Sequence, residues 1–318
     1  MPKYKSTKPN TYTGRASDLQ LYLHEKISCI DIKEVSKKAS AKSIALLGYE
    51  CDEGVKLNQG RVGAKKGPDA IRKQLGKLPN HLDIHTSLLD VGNVCHGLSN
   101  LEKTQELLSE KVSELLVANT FPILMGGGHD ISYGTFKGIK ATIGNSKTIG
   151  IINFDAHFDL RSDKNGANSG TPFYQIAEDC KTNNLPFHYL CLGIRQDAND
   201  ASLFKRAKEL EVKFIQRDTF RIQFHNEINA WINAFIKNVD VVYTTIDLDG
   251  FSSAYAPGVS APSPMGFTPD VVLESLKTIT ASGKLVAVDI AEMNPEFDVD
   301  HQTARLAASL IHQVIHSY

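Results

Sequence analysis

The sequence predicts an α/β protein, a three-layer α/β/α sandwich around a central, mainly parallel sheet of about eight strands. Three observations predict it. Short apolar, β-rich runs alternate with amphipathic stretches of helical period along most of the 318 residues. Most of those runs are apolar nearly throughout, as in parallel strands covered on both faces. Residues with metal-binding chemistry gather where the runs end, and open α/β sheets form their sites beyond the carboxyl ends of their strands.

Residues 1–40 fall outside the alternation and are expected to wrap the periphery. The expected strands are 43–48, 87–91, 121–125, 148–154, 187–192, 212–215, 239–246 and 284–290. The helices expected between them are 68–78, 100–118, 131–143, 173–181, 201–210, 222–237, 270–281 and 298–317. The first opens on Pro68, suited to a first helical turn because its missing N–H has no partner there. The second places Leu101, Leu107, Leu108, Val112, Leu115 and Leu116 at helical spacing. No internal repeat, low-complexity tract or Pro/Gly-rich linker divides the chain, which reads as one domain over residues 1–318.

Composition bounds the partners. Lys and Arg total 35 against 36 Asp and Glu, a formal net charge of −1. That balance argues against nucleic acid or an anionic membrane as the main partner. Hydrophobic residues make up 42% of the chain, yet no apolar run approaches the ~18–20 residues of a transmembrane helix. The polar start, residues 1–10, has no signal-peptide core. Cys29, Cys51, Cys95, Cys180 and Cys191 are odd in number, scattered and without a C-x-x-C pair. They read as buried thiols in a reducing cytoplasm. A homo-oligomer is compatible with this composition.

The chemistry lies at four strand ends. In Ile151-Ile152-Asn153-Phe154-Asp155-Ala156-His157-Phe158-Asp159, side chains at i, i+2 and i+4 of an extended backbone share a face, so Asp155, His157 and Asp159 can aim into one small volume. The run 121–125 opens into Gly126-Gly127-Gly128-His129-Asp130, and the run 241–246 ends in Asp247-Leu248-Asp249-Gly250. Any one such His or Asp is ordinarily structural. Six of them at three junctions, with period-two spacing at two, are better explained by a shared metal site. The glycines lack G-x-G-x-x-G spacing and a following Lys-Ser/Thr, so they read as a tight turn and not a phosphate loop. Asp130 reads as a helix cap. Four carboxylates and two imidazoles without thiolate favour Mn²⁺ over structural Zn²⁺. Two ions ~3.5–4 Å apart can lower the pKa of a shared water toward neutrality, which implies metal-assisted hydrolysis. At the fourth strand end, Glu292 suits a cationic amidine or guanidine, and Asp289 reads as a structural hydrogen-bonding group.

Gly127-Gly128-His129-Asp130, Asp155-Ala156-His157-Phe158-Asp159, Asp247-Leu248-Asp249-Gly250 and Asp289-Ile290-Ala291-Glu292-Met293-Asn294-Pro295 together resemble the ureohydrolase superfamily of arginases, agmatinases and formimidoylglutamases. The resemblance implies one arginase-like domain with a two-Mn²⁺ site. His129 and Asp159 would hold one ion, His157 and Asp249 the other, and Asp155 and Asp247 would bridge both. Arginases and agmatinases usually carry a His in the loop after this central motif, but no His occurs here between His157 and His188. Asn168-Ser169-Gly170-Thr171-Pro172-Phe173 and the stretch 54–64 look like formimidoylglutamase. The implied reaction is hydrolysis of N-formimidoyl-L-glutamate to L-glutamate and formamide, a step of histidine degradation. The alternative is an agmatinase- or guanidino-acid-type amidinohydrolase releasing urea. Arg61 and Arg161 are candidates to bind the substrate carboxylates through their guanidinium forks, and Asn168 and Ser169 can add neutral hydrogen bonds. Glu292 is expected to hold the amidine. Asp159 or a group on the metal would protonate the departing amine.

Overall fold

A computed structural model describes residues 1–38, 42–97 and 100–318. Ten strands form one sheet: β1 (Lys3–Lys5), β2 (Ser28–Cys29), β3 (Lys42–Glu50), β4 (Thr86–Cys95), β5 (Phe121–Met125), β6 (Ile149–Phe154), β7 (His188–Ile194), β8 (Lys213–Gln216), β9 (Val241–Asp247) and β10 (Leu285–Ala291). Their order is β1-β4-β3-β5-β10-β9-β6-β7-β8, with β2 also on β4. All the pairings are parallel except that of β1 with β4.

The eight expected strands are all present, and the two extra ones lie in the N-terminal segment. That segment covers one end of the sheet and pairs with it. It carries little sequence signal because β1 and β2 are only three and two residues long. A buried ion pair helps anchor it. The Arg72 guanidinium grips Asp90 through Nε (2.7 Å) and Nη2 (3.2 Å), and the Tyr12 hydroxyl donates to the same carboxylate at 2.5 Å. β4 runs past the expected end at residue 91 because Asn93, polar in sequence, is satisfied by Arg72 Nη1 at 2.6 Å.

The helices are α1 (Leu23–Lys26), α2 (Val35–Lys38), α3 (Glu53–Leu57), α4 (Gly67–Leu75), α5 (Leu101–Val117), α6 (Ile131–Ile143), α7 (Pro172–Thr182), α8 (Ala201–Glu209), α9 (His225–Lys237), α10 (Pro269–Ala281) and α11 (Gln302–Ser317). α4, α9, α10 and α11 pack on one face of the sheet, and α5 to α8 on the other. Strand residues alternate between the two cores: Ile44 and Leu46 of β3 face the first, Ala45 and Leu47 the second. This two-sided burial is why the strands read as unbroken apolar runs. α11 starts four residues after the expected 298, because Asp298 caps it from outside, accepting from the N–H groups of Thr303 (2.9 Å) and Ala304 (3.1 Å). None of the described helices is long and apolar enough to cross a membrane.

Candidate active site

β5, β6, β9 and β10 lie side by side at the centre of the sheet, and each releases its site residues at its carboxyl end. After β5, Gly126 and Gly127 take φ of +79° and +74°. A Cβ on Gly126 would come within 2.5 Å of Pro68, and one on Gly127 within 2.9 Å of the Cys51 and Tyr49 carbonyls. Only glycine allows that close turn, which delivers His129 to the site. After β6 and β10, Asp159 and Glu292 hold left-handed backbone, φ +47° and +66°. Such conformations are costly for residues with a Cβ and concentrate at functional sites.

The six expected ligand residues converge. His129, Asp155, Asp159 and Asp247 form one group, and Asp155, His157 and Asp249 a second, with the ligand atoms of each group within 4.8 Å of one another. His129 Nδ1 lies 2.8 Å from Asp159, 3.0 Å from Asp247 and 3.2 Å from Asp155. One nitrogen cannot satisfy three carboxylates by hydrogen bonding, but a cation among them can. Asp155 offers Oδ2 to the first group and Oδ1 to the second, where it lies 3.4 Å from His157 Nδ1. Asp247 falls in the first group only, and its Oδ1 accepts the Asp249 N–H at 2.8 Å. Asp155 thus belongs to both groups, whereas Asp247, expected to be shared as well, belongs to one.

The electrostatics call for cations. Burial, reinforced by the charge of Asp247, pushes Asp249 well above the usual carboxylate range. Burial and the charges of Asp247 and Asp249 do the same to Glu292. Burial disfavours charge on His129 and His157, yet the Asp247 charge on the first and the Asp249 charge on the second raise both well above the ordinary imidazole value. Asp249 Oδ1 and Glu292 Oε2 are buried without a hydrogen-bond partner. Carboxylate oxygens held out of water without a hydrogen bond are expensive, and divalent cations are the natural compensation. The oxygen-rich, thiolate-free donor set fits Mn²⁺.

A hydrogen-bonded chain behind the site sets the tautomer of His129. Thr245 and Tyr243 both donate their hydroxyls to Asp289. With its proton committed there, the Thr245 oxygen accepts from His129 Nε2 at 2.9 Å. With a cation among the carboxylates, the imidazole would keep its proton on Nε2 and offer the Nδ1 lone pair to the ion. Asp289 has the structural role expected of it. Phe173 holds the same ring edge-on, with centroids 5.3 Å apart, and Asn153 steadies Asp155 Oδ2 at 3.1 Å.

Above these groups opens a cleft of about 310 Å³ whose walls include Asn58, Arg61, Arg161, Ser169 and Leu203, with Glu292 also exposed to it. Arg161 Nη1 donates to Asn58 Oδ1 at 3.0 Å, and Asn58 Nδ2 donates to Ser169 Oγ at 3.1 Å, joining the two loops. Glu292 accepts the His129 N–H on Oε1 at 3.0 Å and keeps Oε2 open.

Three expectations need revision. Asp130 stands at the start of α6 but does not cap it; its carboxylate accepts from Tyr49 at 2.7 Å, because the residue is buried against β3. Asn168 is not on the cleft wall: its Oδ1 accepts the Gly170 N–H at 2.9 Å, shaping its own loop. Arg61 lines the cleft, but its Nε and Nη2 donate to the carbonyls of Ser260 (2.9 Å) and Val259 (2.5 Å) and its guanidinium stacks 3.8 Å from Phe297, which makes it first a clamp on that loop. Thr245 and Asn199 escape sequence reasoning. Asn199 braces the ligand loop, accepting from the Phe158 N–H (2.9 Å) and donating to the Ala156 carbonyl (2.8 Å), partners about forty residues away that no local pattern announces.

A parallel α/β sandwich with overlapping His/Asp ligand groups at its central strand ends defines a protein of the arginase class. A model of the Arginase family matches residues 42–316, and the chain belongs to that family. Within it, the chain is 37% identical to formimidoylglutamase of Clostridium tetani, over 98% of this chain and 95% of that one. It is 43% identical to formimidoylglutamase of Ralstonia nicotianae, over 89% of each. Among solved structures, formimidoylglutamase of Bacillus subtilis superposes with a TM-score of 0.83 at 24% identity, covering 96% of this chain and 94% of that one. Trypanosoma cruzi formiminoglutamase with Mn²⁺ superposes with a TM-score of 0.78 at 23% identity, covering 91% and 98%. These superpositions establish the arginase fold.

Proposed function

We propose that this protein is a formimidoylglutamase, a hydrolase that cleaves the amidine C–N bond of N-formimidoyl-L-glutamate to give L-glutamate and formamide in histidine degradation. The observation that carries the reading is a pair of ligand groups sharing Asp155, beneath a cleft walled by Arg161 and Ser169 in a loop that contains no histidine. The near-full-length curated relatives support it.

Two Mn²⁺ ions would be held by the two residue groups, one by His129, Asp159 and Asp247, the other by His157 and Asp249, with Asp155 common to both. Such a pair supplies a water nucleophile at neutral pH and Lewis-acid polarisation of the substrate. The chain's own groups do the rest. Glu292 offers its unpartnered Oε2 to the amidinium N–H, a charge-assisted contact that orients the electrophilic carbon over the metal groups. Arg161 pairs with a substrate carboxylate while Asn58 fixes its guanidinium. Ser169 adds a hydroxyl, and Leu203 offers an apolar wall to the substrate methylenes. Arg61 has unused guanidinium protons for the second carboxylate. To Asp159, which lines the cleft, we assign the transfer to the departing amine of the proton that the attacking water releases. The five thiols carry no disulfide, which accords with a cytoplasmic setting.

The deciding experiment is a panel of formimidoylglutamate, agmatine and guanidino acids assayed with Mn²⁺, with formamide and urea detected separately. Formamide from formimidoylglutamate is the expected product; faster urea release from agmatine would replace this reading with the amidinohydrolase alternative. Arg161→Ala is expected to raise KM about tenfold or more at unchanged metal content, the loss of one charge-assisted hydrogen bond.

A further inference from the structure

A second cleft, of about 250 Å³, opens at the carboxyl ends of β7 and β8. It shares no lining residue with the metal-site cleft. Three guanidinium groups border it, those of Arg195, Arg217 and Arg221, against two carboxylates, Asp197 and Asp218. Arg195 is already committed: it forks onto Asp197 at 2.9 and 2.6 Å and also donates to Ser263. Arg217 is not. Its Nε donates to the Gly266 carbonyl at 2.8 Å, which fixes the plane of the group, but its Nη1 is buried with no hydrogen-bond partner. A buried guanidinium nitrogen without an acceptor calls for an explanation. With Arg195 paired to Asp197, the cleft sets the Arg217 and Arg221 guanidinium groups against Asp218 alone.

We propose that this cleft is a binding site for a compact dianion presenting adjacent oxygens, anchored by Arg217 with Arg221 beside it. A planar guanidinium fork matches the paired oxygens of a phosphate or a carboxylate. The volume, somewhat below the ~300 Å³ at which drug-sized pockets begin, suits a compact ligand. The site is tied to the catalytic loop through the backbone. The Arg217 N–H donates to the Ile194 carbonyl (2.9 Å), and the next residue, Arg195, donates its N–H to the Ala156 carbonyl (3.0 Å), beside His157. Residues 195–197 line this cleft, and Ala198 and Asn199 of the same loop line the other.

The test is calorimetric titration of the Mn²⁺-loaded protein at low ionic strength with inorganic phosphate and, separately, with succinate, for the wild type, Arg217→Gln and Arg221→Gln. The expected result is one site per chain for at least one anion, weakened about tenfold or more in each variant with metal content and thermal midpoint unchanged. Phosphate alone binding identifies a tetrahedral oxyanion, succinate alone a dicarboxylate. The proposal is overturned if neither anion binds, if both variants bind as the wild type does, or if Arg217→Gln changes the mass in solution while leaving anion affinity intact, which would make the guanidinium a contact between copies.

Discussion

Thr245 shows how much can rest on one hydroxyl. It touches no ligand oxygen, yet it receives the His129 Nε2 proton at 2.9 Å and hands its own proton to Asp289. Thr245→Val keeps the shape and removes that acceptor. The His129 tautomer then loses its bias, and Mn²⁺ affinity should drop by about 10–100-fold while the fold survives. Metal titration of the folded variant checks this; unchanged affinity would show that the tautomer is set elsewhere. Glu292 separates binding from chemistry differently. Glu292→Gln retains the acceptor for the His129 N–H but loses the charge proposed to hold the amidine, so metal content should be unchanged and turnover should fall. Normal kinetics in that variant would reduce Glu292 to a structural role. Residue identities at the ligand positions were legible because D-x-H-x-D and D-x-D spacing states a shared face. Thr245 was not, because a Thr inside a β-rich run looks like any other strand residue until its neighbour across the sheet, Asp289, is known.

Among the elements, the helices that read well are those whose ends carry local punctuation: Asn100 caps α5 by accepting the Lys103 N–H, and Pro172 opens α7. The N-terminal strands read poorly because their support is non-local. β1 rests on β4, and α4 grips the same strand through Arg72. That side chain is fully buried, and removing it leaves Asp90 charged and out of water. Arg72→Met should therefore cost about 3–5 kcal/mol in urea-induced unfolding. The exposed pair Lys66–Glu296 serves as the control, and Lys66→Ala should leave the midpoint where it is. A comparable response from the two variants would mean that the buried network does not hold this end of the sheet. The turn after β5 offers a second element-level check. Gly127→Ala forces a Cβ onto positive φ and against β3 backbone, so it should impair metal binding through displacement of His129.

On the scale of the molecule, the site is a store of charge that protons and cations compete to neutralise. His129 and His157 have raised proton affinity in the folded state, so their contribution to stability is complete below the ordinary imidazole value and is lost as pH climbs through the raised one. Asp159, Asp249 and Glu292 are raised by burial, so their contribution is complete below about pH 4 and is likewise lost as pH rises. Asp155 alone is lowered, against its burial, by His129 and His157, and acts in the opposite sense at the acid end. The metal-free protein should therefore lose thermal stability between pH 5 and pH 8. With Mn²⁺ the slope should flatten or reverse, because deprotonated ligands bind the ions more tightly. Thermal midpoints in chelator and in Mn²⁺ at the two pH values check the sign; a metal-free midpoint that rises with pH contradicts it. Fold class was legible at this scale, since strand–helix alternation and two-sided burial are properties of the whole chain. Strand order was not, since nothing local says that β10 lies between β5 and β9.

That placement has a consequence in time. Among the described strands β10 comes last, and it alone joins the block β1-β4-β3-β5 to the block β9-β6-β7-β8. His129 belongs to the first block, and the four aspartates and His157 to the second. A nascent chain can pair each block early, but its two halves have no common seam until residues 285–291 have emerged and inserted. Parallel pairing across such sequence distances is slow to nucleate. Manganese capture should accordingly be the final event of maturation, and refolding followed by metal uptake should lag refolding followed by helix content. Chains ending before residue 285 should gain much of their helix while remaining unable to assemble the four-residue group that includes His129.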